Sequence, residues 1–384
     1  MNDLKTWHIL TGEYPPDHGG VSDYTRSVAV GLSNAGIKVH VWTRGSEDDA
    51  TQEGIVVHRC LKTFGLADMS RLHRALQESK PISKLLVQYV PHGFGMRAMN
   101  IPLTRWIDQQ SRTGIDVRLM LHELSFPFVR WPLHHNLIAI ANRWMLRNIL
   151  FNVKHVYVST TAWQPMVDRY SRRARQSICL PIPSNIPGTQ RPESKAIREK
   201  WTEYDLKQVV VGHFGTFGGE IRRLTIETIS RLFESSSDIS VTLIGRGATS
   251  ARLDLLRKQP TDLSNRVFSL ENANEETIAA WIQACDIMLQ PFPDGISTRR
   301  TSAMAGFANG VAVVSNMGAL AESFWLEDEV AMLADGPNVE QLAAKTLELV
   351  GNSALRERIA LAGRSLHDQK FTIENTIRVL MDDD

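Results

Sequence analysis

Residues 289–315 read LQPFPDGISTRRTSAMAGFANGVAVVS. A short apolar strand at 287–289 is ended by Pro291 and Pro293, and a polar loop follows at 294–297. A helix rich in Ala and Met comes next, and after it a second apolar strand. The order strand, loop, helix, strand is typical of a parallel α/β sheet, so this stretch predicts the fold class.

The loop and the start of the following helix suit an anionic ligand. A loop with Gly295 and Ser297 that opens a helix offers free backbone N–H groups to an anion. Arg299 and Arg300 are predicted in the first helical turn, where the helix dipole disfavours cations. A ligand phosphate explains two arginines there better than helix stability does, so we predict a nucleotide-diphosphate site that uses Ser297, Arg299 and Arg300. The alternative is a surface pair of arginines held in salt bridges.

Length and composition are those of a globular protein with two domains. The chain has 384 residues, 43% of them hydrophobic and 22% charged, which is enough for two domains with a core each. The formal net charge of +1 gives no electrostatic case for nucleic acid as a partner. Cys60, Cys179 and Cys285 lack the spacing of a disulfide framework or zinc site, which fits a reducing compartment.

No segment has the pattern of a signal peptide or of a membrane span, which needs about 20 apolar residues. We expect a cytoplasmic location and leave open a peripheral contact with the inner membrane surface. Residues 131–154 mix Trp, Leu and Ile with Arg143, Arg147 and Lys154, as a basic amphipathic helix on an anionic membrane does. We prefer the alternative that this helix buries one stripe in its own domain. The pair His134-His135 has no metal-ligand spacing and is expected at a helix N-terminus.

Short apolar strands alternate with helical periods along both halves of the chain. The candidates are 7–10, 39–42, 56–59, 85–88, 117–121 and 155–158 in the first half, and 209–214, 241–244, 267–270, 287–290, 311–314 and 330–333 in the second. Between the halves, residues 180–188 are rich in Pro and Gly, as a linker is. We predict an α/β protein with a first domain at 1–185 and a second at 186–370.

Residues 294–305 resemble the donor-binding loop of GT-B glycosyltransferases, specifically retaining glycosyltransferase family 4 (glycosyl transferases group 1). That loop usually carries two glutamates, the first followed by Gly and the second opening Glu-Ala-Met-Ala. Here Asp294 and Ser302 stand in their places, and the Ala-Met-Ala continuation is intact. The resemblance implies two facing Rossmann-like domains with an interdomain cleft, and it implies sugar transfer with retention of configuration and without a metal ion. It also implies that Asp294 holds sugar hydroxyls and that Ser302 takes over part of the contact to ribose.

Glycines follow the first strand of each predicted domain. Gly19 and Gly20 lie in Pro-Pro-x-x-Gly-Gly-Val, the opening of the same family, and the resemblance implies that they face the donor phosphates. Turn geometry alone is the competing explanation for this pair. In the second domain, Gly215 and the Gly-x-Gly of Gly245 and Gly247 follow two strands and are predicted to contact the nucleotide.

The cations of the family's diphosphate clamp are missing from the second domain. The family usually has an Arg near Thr216 and a Lys a few positions later, and this chain has neither. Arg222 is the nearest candidate, and Arg299 or Arg300 is the alternative.

His122 follows the strand at 117–121, where parallel sheets place ligand-facing residues. Family members commonly contact the transferred sugar from this position, so the resemblance implies a catalytic role for His122. At the other end of the chain, residues 371–380 have helical periodicity and resemble the last GT-B helix, which packs back on the N-terminal domain. The alternative is a helix that stays on its own domain.

Taken together, the expected function is transfer of a sugar from a nucleotide-diphosphate donor to an acceptor hydroxyl, in polysaccharide or glycolipid biosynthesis. The acceptor is a saccharide, a lipid-linked sugar or a small molecule. The resemblance implies that no cofactor or metal is needed. The sequence agrees, since no Asp-x-Asp follows a strand and the acidic runs at 47–49 and 382–384 are interpreted as loop and tail. Two alternatives stay open: a nucleotide-sugar-binding protein with weak or no activity, and a sugar-nucleotide epimerase of the same fold, against which Pro-Pro-x-x-Gly-Gly-Val argues.

Overall fold

The computed structural model describes residues 6–17, 19–46, 49–78, 84–133, 135–171, 176–202, 208–258 and 263–382. Contacts divide the chain into two units, Met1–Pro181 with Ile373–Asp384, and Ile182–Thr372. The sequence predicts these two boundaries within a few residues of the observed ones, between residues 185 and 186 and between residues 370 and 371. Parts of three sequence predictions lie outside the described residues. These are residues 47 and 48 of the first acidic run, residues 383 and 384 of the second, and residue 134 of the histidine pair.

The first unit is built on an eight-stranded sheet in the order β3-β4-β2-β1-β5-β6-β7-β8, in which only the pair β3–β4 is antiparallel. The strands are β1 (Thr6–Thr11), β2 (Lys38–Arg44), β3 (Ala50–Gln52), β4 (Ile55–Leu61), β5 (Lys84–Tyr89), β6 (Asp116–Leu121), β7 (His155–Val158) and β8 (Ile178–Cys179). All six strands predicted for this half are present. The sequence pattern missed β3 and β8, which are too short to show a period.

Helices cover the sheet of the first unit. They are α1 (Gly20–Asn34), α2 (Leu66–Glu78), α3 (Ile101–Arg112), α4 (His135–Leu150), α5 (Gln164–Tyr170) and the C-terminal α14 (Ile373–Asp382). Every residue of β1 and β5 is buried, as expected for central strands of a parallel sheet with two covered faces.

The C-terminal helix α14 packs on α1 of the first unit. A Cβ placed on Gly31 of α1 would lie 2.6 Å from Cγ1 of Ile377, so the two helices approach closely at this glycine. The buried Arg118 donates a hydrogen bond of 2.5 Å to the carbonyl oxygen of Leu380. Helix α14 thus packs on the first unit of the structure, the unit on which the resemblance places it.

The second unit contains a wholly parallel sheet in the order β11-β10-β9-β12-β13-β14. Its strands are β9 (Val209–Phe214), β10 (Ile239–Ile244), β11 (Val267–Leu270), β12 (Ile287–Leu289), β13 (Ala312–Asn316) and β14 (Met332–Ala334). Its helices are α6 (Glu193–Trp201), α7 (Gly219–Ser235), α8 (Ala248–Lys258), α9 (Glu275–Gln283), α10 (Thr301–Ala308), α11 (Phe324–Glu327), α12 (Val339–Gly351) and α13 (Ser353–Lys370). The six predicted strands of this half are present, with ends shifted by a few residues. A buried apolar cluster lies on each face of the sheet.

Two polar residues of the second unit have structural roles. The side chain of Asn274 accepts a hydrogen bond of 2.8 Å from Thr277 N and caps α9. The carboxylate of Asp286 pairs with Arg198 at 2.7 Å and accepts a hydrogen bond from Val210 N. Asp286 therefore fixes α6 and the start of β9 and belongs to the framework of this unit.

Candidate functional site

The parallel sheet of the second unit brings the predicted site residues of this half to one edge. Leu243 pairs with His213, and Leu289 pairs with Val314, so β9, β10, β12 and β13 end side by side. The residues that follow these strands include Gly215, Gly245, Gly247, Asp294, Ser297 and Arg300. Ligand sites of open parallel sheets lie at this carboxyl edge.

Gly245 is needed for the contact between the loops that follow β9 and β10. A Cβ on Gly245 would lie 2.1 Å from the carbonyl oxygen of Gly215, and Gly245 has φ of 113°. Gly215 N also donates to Ile244 O at 3.0 Å. The tight packing between these loops accounts for Gly245 without a ligand, whereas a Cβ on Gly215 would approach only the ring of His213, at 3.3 Å from Nε2.

The N-terminus of α8 is occupied by a carboxylate of the protein. Gly247 N donates to Oε1 of Glu271 at 2.6 Å, and Thr249 N donates to Oε2 at 3.2 Å. Hydrogen bonds from the Thr249 side chain and from these backbone groups lower the pKa of Glu271. An anionic side chain already satisfies this helix end, so a ligand anion would have to displace Glu271 to bind there.

The N-terminus of α7 is open. A Cβ on Gly218 or on Gly219 would meet no atom within 4 Å among the described residues, and Gly219 has φ of 43°. The backbone N–H groups of this turn are therefore accessible to a ligand phosphate. Arg222, predicted to contact the diphosphate, instead pairs with Asp254 of α8 and donates to Oγ of Ser250 at 2.8 Å. A diphosphate contact by Arg222 would require this ion pair to open.

The loop after β12 is held in one conformation by the loop after β13. A Cβ on Gly295, which has φ of 88°, would lie 2.4 Å from Gly318 N. Ile296 N donates to Asn316 O at 2.8 Å, and Leu320 N donates to Asp294 O at 2.9 Å. Because its backbone is pinned on both sides, this loop can present its side chains rigidly.

Asp294 and Arg300, predicted as separate site residues, form an ion pair with each other. The guanidinium of Arg300 also lies over the ring of Phe292, 4.6 Å from its centroid. Burial lowers the pKa of Arg300 to about 10, so the side chain is charged at neutral pH. Helix α10 begins at Thr301, so the prediction that both arginines lie in its first turn is wrong. Arg300 is the N-cap residue, because it directly precedes the helix and its carbonyl oxygen accepts the hydrogen bond of Met304 N at 3.1 Å.

Glu322 is a buried carboxylate that the sequence analysis missed. It accepts a hydrogen bond of 2.8 Å from Thr298 Oγ1 and one of 2.7 Å from Trp325 Nε1. These bonds tie the loop after β12 to α11 and keep Ser297 and Arg300 in place. No motif marks this residue, and only its depth in the fold identifies it.

Several buried polar atoms at this edge have no hydrogen-bond partner within the described part of the chain. They are His213 Nε2, both side-chain polar atoms of Gln290, Ser297 Oγ and Arg300 Nε. Buried polar groups are nearly always hydrogen-bonded, so a group of orphans points to a ligand or water that bridges them. Ser297 and Arg300 were predicted, and His213 and Gln290 were missed. Their position at strand ends was the signal that could have found them.

His213 faces the glycine loop in its neutral form. Its Nδ1 lies 2.8 Å from Leu289 O, and burial lowers its pKa to about 4. Nδ1 therefore carries the proton and Nε2 is an acceptor. Nε2 would lie 3.3 Å from a Cβ on Gly215, so the acceptor points toward the turn between β9 and α7.

Of the remaining predicted residues, Ser302 lies partly exposed in the first turn of α10, and Arg299 is partly exposed just before this helix.

In the first unit, the N-terminus of α1, where Gly19 and Gly20 are predicted to face the donor phosphates, also has a carboxylate beside it. Oε1 of Glu13 accepts a hydrogen bond of 3.1 Å from Ser22 N, and a Cβ on Gly19 would lie 2.3 Å from that oxygen. A Cβ on Gly20, by contrast, would meet no described atom within 4 Å. Only Gly20 of the predicted pair leaves its backbone open to a ligand, and Glu13 is an additional charged group at this site.

His122 lies just after β6, as predicted, and is buried. Its Nε2 lies 2.7 Å from Oε1 of Gln88, and its ring meets Tyr24 edge-on at 5.0 Å. The sequence offered no partner for a buried histidine at this position, and Gln88 at the end of β5 is that partner. The hydrogen bond fixes the ring orientation, and contact with a sugar stays a prediction.

Next to His122, a half-exposed ion pair joins the ends of β5 and β6. Nδ1 of His92 lies 3.4 Å from Oε2 of Glu123. The hydrogen bond with Glu123 raises the pKa of His92, and the charge of Glu13 acts in the same direction. Glu13, His92, Glu123 and His122 thus form a titratable group at the carboxyl edge of this sheet. The sequence singled out only His122.

No group of three or more His, Cys, Asp or Glu side chains is arranged to hold a metal ion in the described ranges. None of the described helices is long and apolar enough to cross a bilayer.

Comparison with known proteins gives the family of the second unit. The model of the family Glycosyl transferases group 1 matches residues 208–352. No curated protein sequence matches the chain at a significant level.

Solved structures that share the fold over nearly the whole chain are GT-B glycosyltransferases. Sucrose-phosphate synthase from Thermosynechococcus elongatus has 16% identity and a TM-score of 0.71, with 98% of each chain covered. WaaG, a glycosyltransferase involved in lipopolysaccharide biosynthesis, has 14% identity and a TM-score of 0.65, over 98% of this chain and 99% of that one. HepE of Anabaena in complex with UDP-glucose has 13% identity and a TM-score of 0.68, with 98% of each chain covered. The chain therefore has the GT-B fold of two parallel-sheet α/β domains, and its segment 208–352, which carries the glycine turns and the Asp294–Arg300 loop, matches the model of the glycosyl transferases group 1.

Proposed function

We propose that this protein is a glycosyltransferase that moves a sugar from a nucleotide-diphosphate donor to an acceptor hydroxyl with retention of configuration. One observation carries the proposal. Within the segment that matches the glycosyltransferase family, an open glycine turn lies at the same sheet edge as buried polar atoms without partners. These atoms belong to His213, Gln290, Ser297 and Arg300. A nucleotide sugar has the phosphates and hydroxyls that such groups bind.

The second unit binds the donor in this proposal. The N–H groups of the Gly218–Gly219 turn and the guanidinium groups of Arg299 and Arg300 hold the diphosphate and stabilise it as it leaves. Charge from arginine and the backbone replaces a divalent cation, so we propose a metal-independent reaction. Because HepE was solved with UDP-glucose, a UDP-sugar is the first donor to test.

Asp294 stabilises the sugar in the transition state. An oxocarbenium-like sugar is favoured by nearby negative charge, and a carboxylate also accepts hydrogen bonds from sugar hydroxyls. The ion pair with Arg300 fixes the position of this carboxylate. We place the acceptor on the first unit, where His122, Glu123 and His92 provide hydrogen-bonding groups. Saccharides, lipid-linked sugars and small molecules are the acceptor classes, in polysaccharide or glycolipid synthesis.

The test measures release of nucleoside diphosphate from a panel of nucleotide sugars, with and without acceptors, after a thermal-shift screen has identified the nucleotide that binds the folded protein. Proton NMR of the first product gives its anomeric configuration. Asp294→Asn should reduce turnover by about 100-fold or more. Asp335→Asn, which changes an exposed aspartate of the same unit, should not reduce it. No diphosphate release with any donor that shifts the melting midpoint would contradict the proposal.

The pairing of Asp294 with Arg300 favours a second candidate, a nucleotide-sugar-binding protein with weak or no transferase activity. A carboxylate engaged by arginine has less capacity for sugar hydroxyls than a free one. This candidate predicts tight binding of the donor without release of nucleoside diphosphate, even when every acceptor class is supplied.

A further inference from the structure

The loop before α4 and the outer face of that helix form an exposed apolar surface in the first unit. Trp131 is 81% exposed and Leu137 is 66% exposed, and four further apolar side chains extend the surface. The set, called here the α4 surface, is Phe128, Trp131, Leu133, Leu137, Ile140 and Trp144. Monomeric soluble proteins rarely expose so many large apolar side chains in one place, so the surface has a partner.

The outer face of α4 is separate from the face that stabilises the fold. Ala139, Asn142, Leu146 and Ile149 are buried in the core. Leu137, Ile140 and Trp144 are spaced three and four residues apart, so they form one stripe on the opposite side of the helix. The preferred prediction of a helix that buries one stripe describes only half of α4, because the second apolar stripe has no role in the core.

The loop of the α4 surface is held against the helix. Asn136 accepts a hydrogen bond of 2.8 Å from Val129 N and donates one of 3.0 Å to Val129 O. Arg143 donates to Phe126 O at 2.9 Å, and its guanidinium lies 4.1 Å from the centroid of the Phe128 ring. The exposed side chains of Phe128, Trp131 and Leu133 are therefore presented by a fixed backbone, which lowers the entropy cost of docking.

The charged side chains of the segment that carries the α4 surface have one sign. Residues 124–167 contain Arg130, Arg143, Arg147 and Lys154 and no Asp or Glu, although the whole chain has a net charge of only +1. Arg130, Arg147 and Lys154 are exposed, and Arg147 continues the stripe of Trp144. A broad apolar area that includes two tryptophans, on a segment whose Lys and Arg residues are not balanced by Asp or Glu, matches the interface of an anionic bilayer.

We propose that the α4 surface docks on an anionic lipid bilayer, with Trp131, Leu133, Leu137, Ile140 and Trp144 in the headgroup region and the cations on lipid phosphates. The surface begins at Phe128, six residues after His122, on the loop that follows β6. Docking would thus hold the carboxyl edge of the first sheet next to the membrane. This inference does not depend on sugar transfer.

The experiment is co-sedimentation of the full-length protein with vesicles of phosphatidylcholine alone or with about 30 mol% phosphatidylglycerol. We expect binding to the anionic vesicles only, and about tenfold or more loss of affinity in Leu133→Ser/Leu137→Ser. Leu66→Ser/Leu361→Ser is the matched control, because these two leucines are 74% and 72% exposed and lie elsewhere. The double variant Arg130→Gln/Arg147→Gln should weaken binding to the anionic vesicles by about fivefold or more. Salt at about 0.5 M should weaken binding of the wild type to a similar extent.

Tryptophan fluorescence tests the contact directly. Anionic vesicles should shift the emission of the wild type to the blue, and Trp131→Phe should lose much of the shift while it keeps binding. Equal binding to both vesicle types, no binding to either, or equal losses in the two leucine pairs would overturn the proposal. A wild-type dimer in light scattering that Leu133→Ser/Leu137→Ser converts to monomer would also overturn it, because the surface would then join two copies of the chain.

Discussion

The carboxylate of Asp294 is paired with the guanidinium of Arg300, six residues later on the same loop. This links the residue expected to hold the sugar to a residue expected to hold the diphosphate. Each of the two charges fixes the position of the other, and Nε of Arg300 has no partner among the described residues. A ligand that engages Arg300 therefore also acts on Asp294.

Replacing Arg299 and Arg300 by Ala should weaken nucleoside-diphosphate binding at least tenfold, because a charge-assisted contact contributes about 1.5–3 kcal/mol. Titration calorimetry measures the affinity, and Arg257→Ala is a control, since this arginine is exposed on α8. Asp294→Asn should leave nucleoside-diphosphate affinity within about threefold, because the arginine charge remains. Unchanged affinity in the double variant would remove both arginines from the diphosphate site.

Ser302 should hold ribose more loosely than the glutamate of related enzymes does. A hydroxyl is shorter than a carboxylate and uncharged, so it reaches ribose only through a closer helix or a bridging water. We expect ribonucleoside diphosphates to bind less than about tenfold better than their 2′-deoxy forms. A ribose preference of about a hundredfold that Ser302→Ala abolishes would contradict this expectation.

His122→Ala should lower turnover by about 100-fold and leave nucleotide affinity nearly unchanged, because the nucleotide belongs to the second unit. Gln88→Leu tests the positioning role of the 2.7 Å hydrogen bond, and it should lower turnover less than His122→Ala does. Normal melting with normal turnover in His122→Ala would show that the histidine is a bystander. Loss of a cooperative melt would show that it is a core residue.

Stability of the first unit should fall in acid because of two buried histidines. Burial and neighbouring histidines lower the pKa of His8 to about 3 and that of His40 to about 4. Their folded-state pKa values lie below the unfolded value of about 6.5, so their contribution is complete above that pH and is lost as the pH falls toward 4 and 3.

Each of these histidines adds at most about 1.4 kcal/mol per pH unit to the slope of the unfolding free energy. Urea denaturation between about pH 7 and 4 measures the slope, and His8→Gln should flatten it. The control is His135→Gln, because His135 is exposed at the start of α4. Equal slopes in the wild type and His8→Gln would contradict the prediction.

Gly31→Ala should destabilise the protein by about 1–3 kcal/mol, although Ala normally stabilises a helix interior. The added Cβ would lie 2.6 Å from Ile377 Cγ1 and would push α14 away from α1. Ile377→Ala should reduce the cost of this substitution, as a thermal-melt double-mutant cycle would reveal. Gly351→Ala at the end of α12 is the control, since a Cβ there meets no described atom within 4 Å.

The sequence alone determined the order of strands and helices, because apolar runs and glycine or proline breaks are local features of the chain. All twelve predicted strands are present, and the loop after β12 was located from its own residues. Strand-end position also pointed to His122, Gly215 and Asp294, since parallel strands place their carboxyl ends together. The family resemblance of residues 294–305 needed no structure either.

Tertiary structure decided which groups are paired and which are left open. Arg222 is engaged by Asp254, Glu271 occupies the end of α8, and Gln88 holds His122. Each of these contacts joins residues that are far apart in the chain, so no local pattern encodes it. The same holds for the two faces of α4. Periodicity predicts a helix that buries one apolar stripe, but only packing shows which stripe the core buries and that a second one remains exposed.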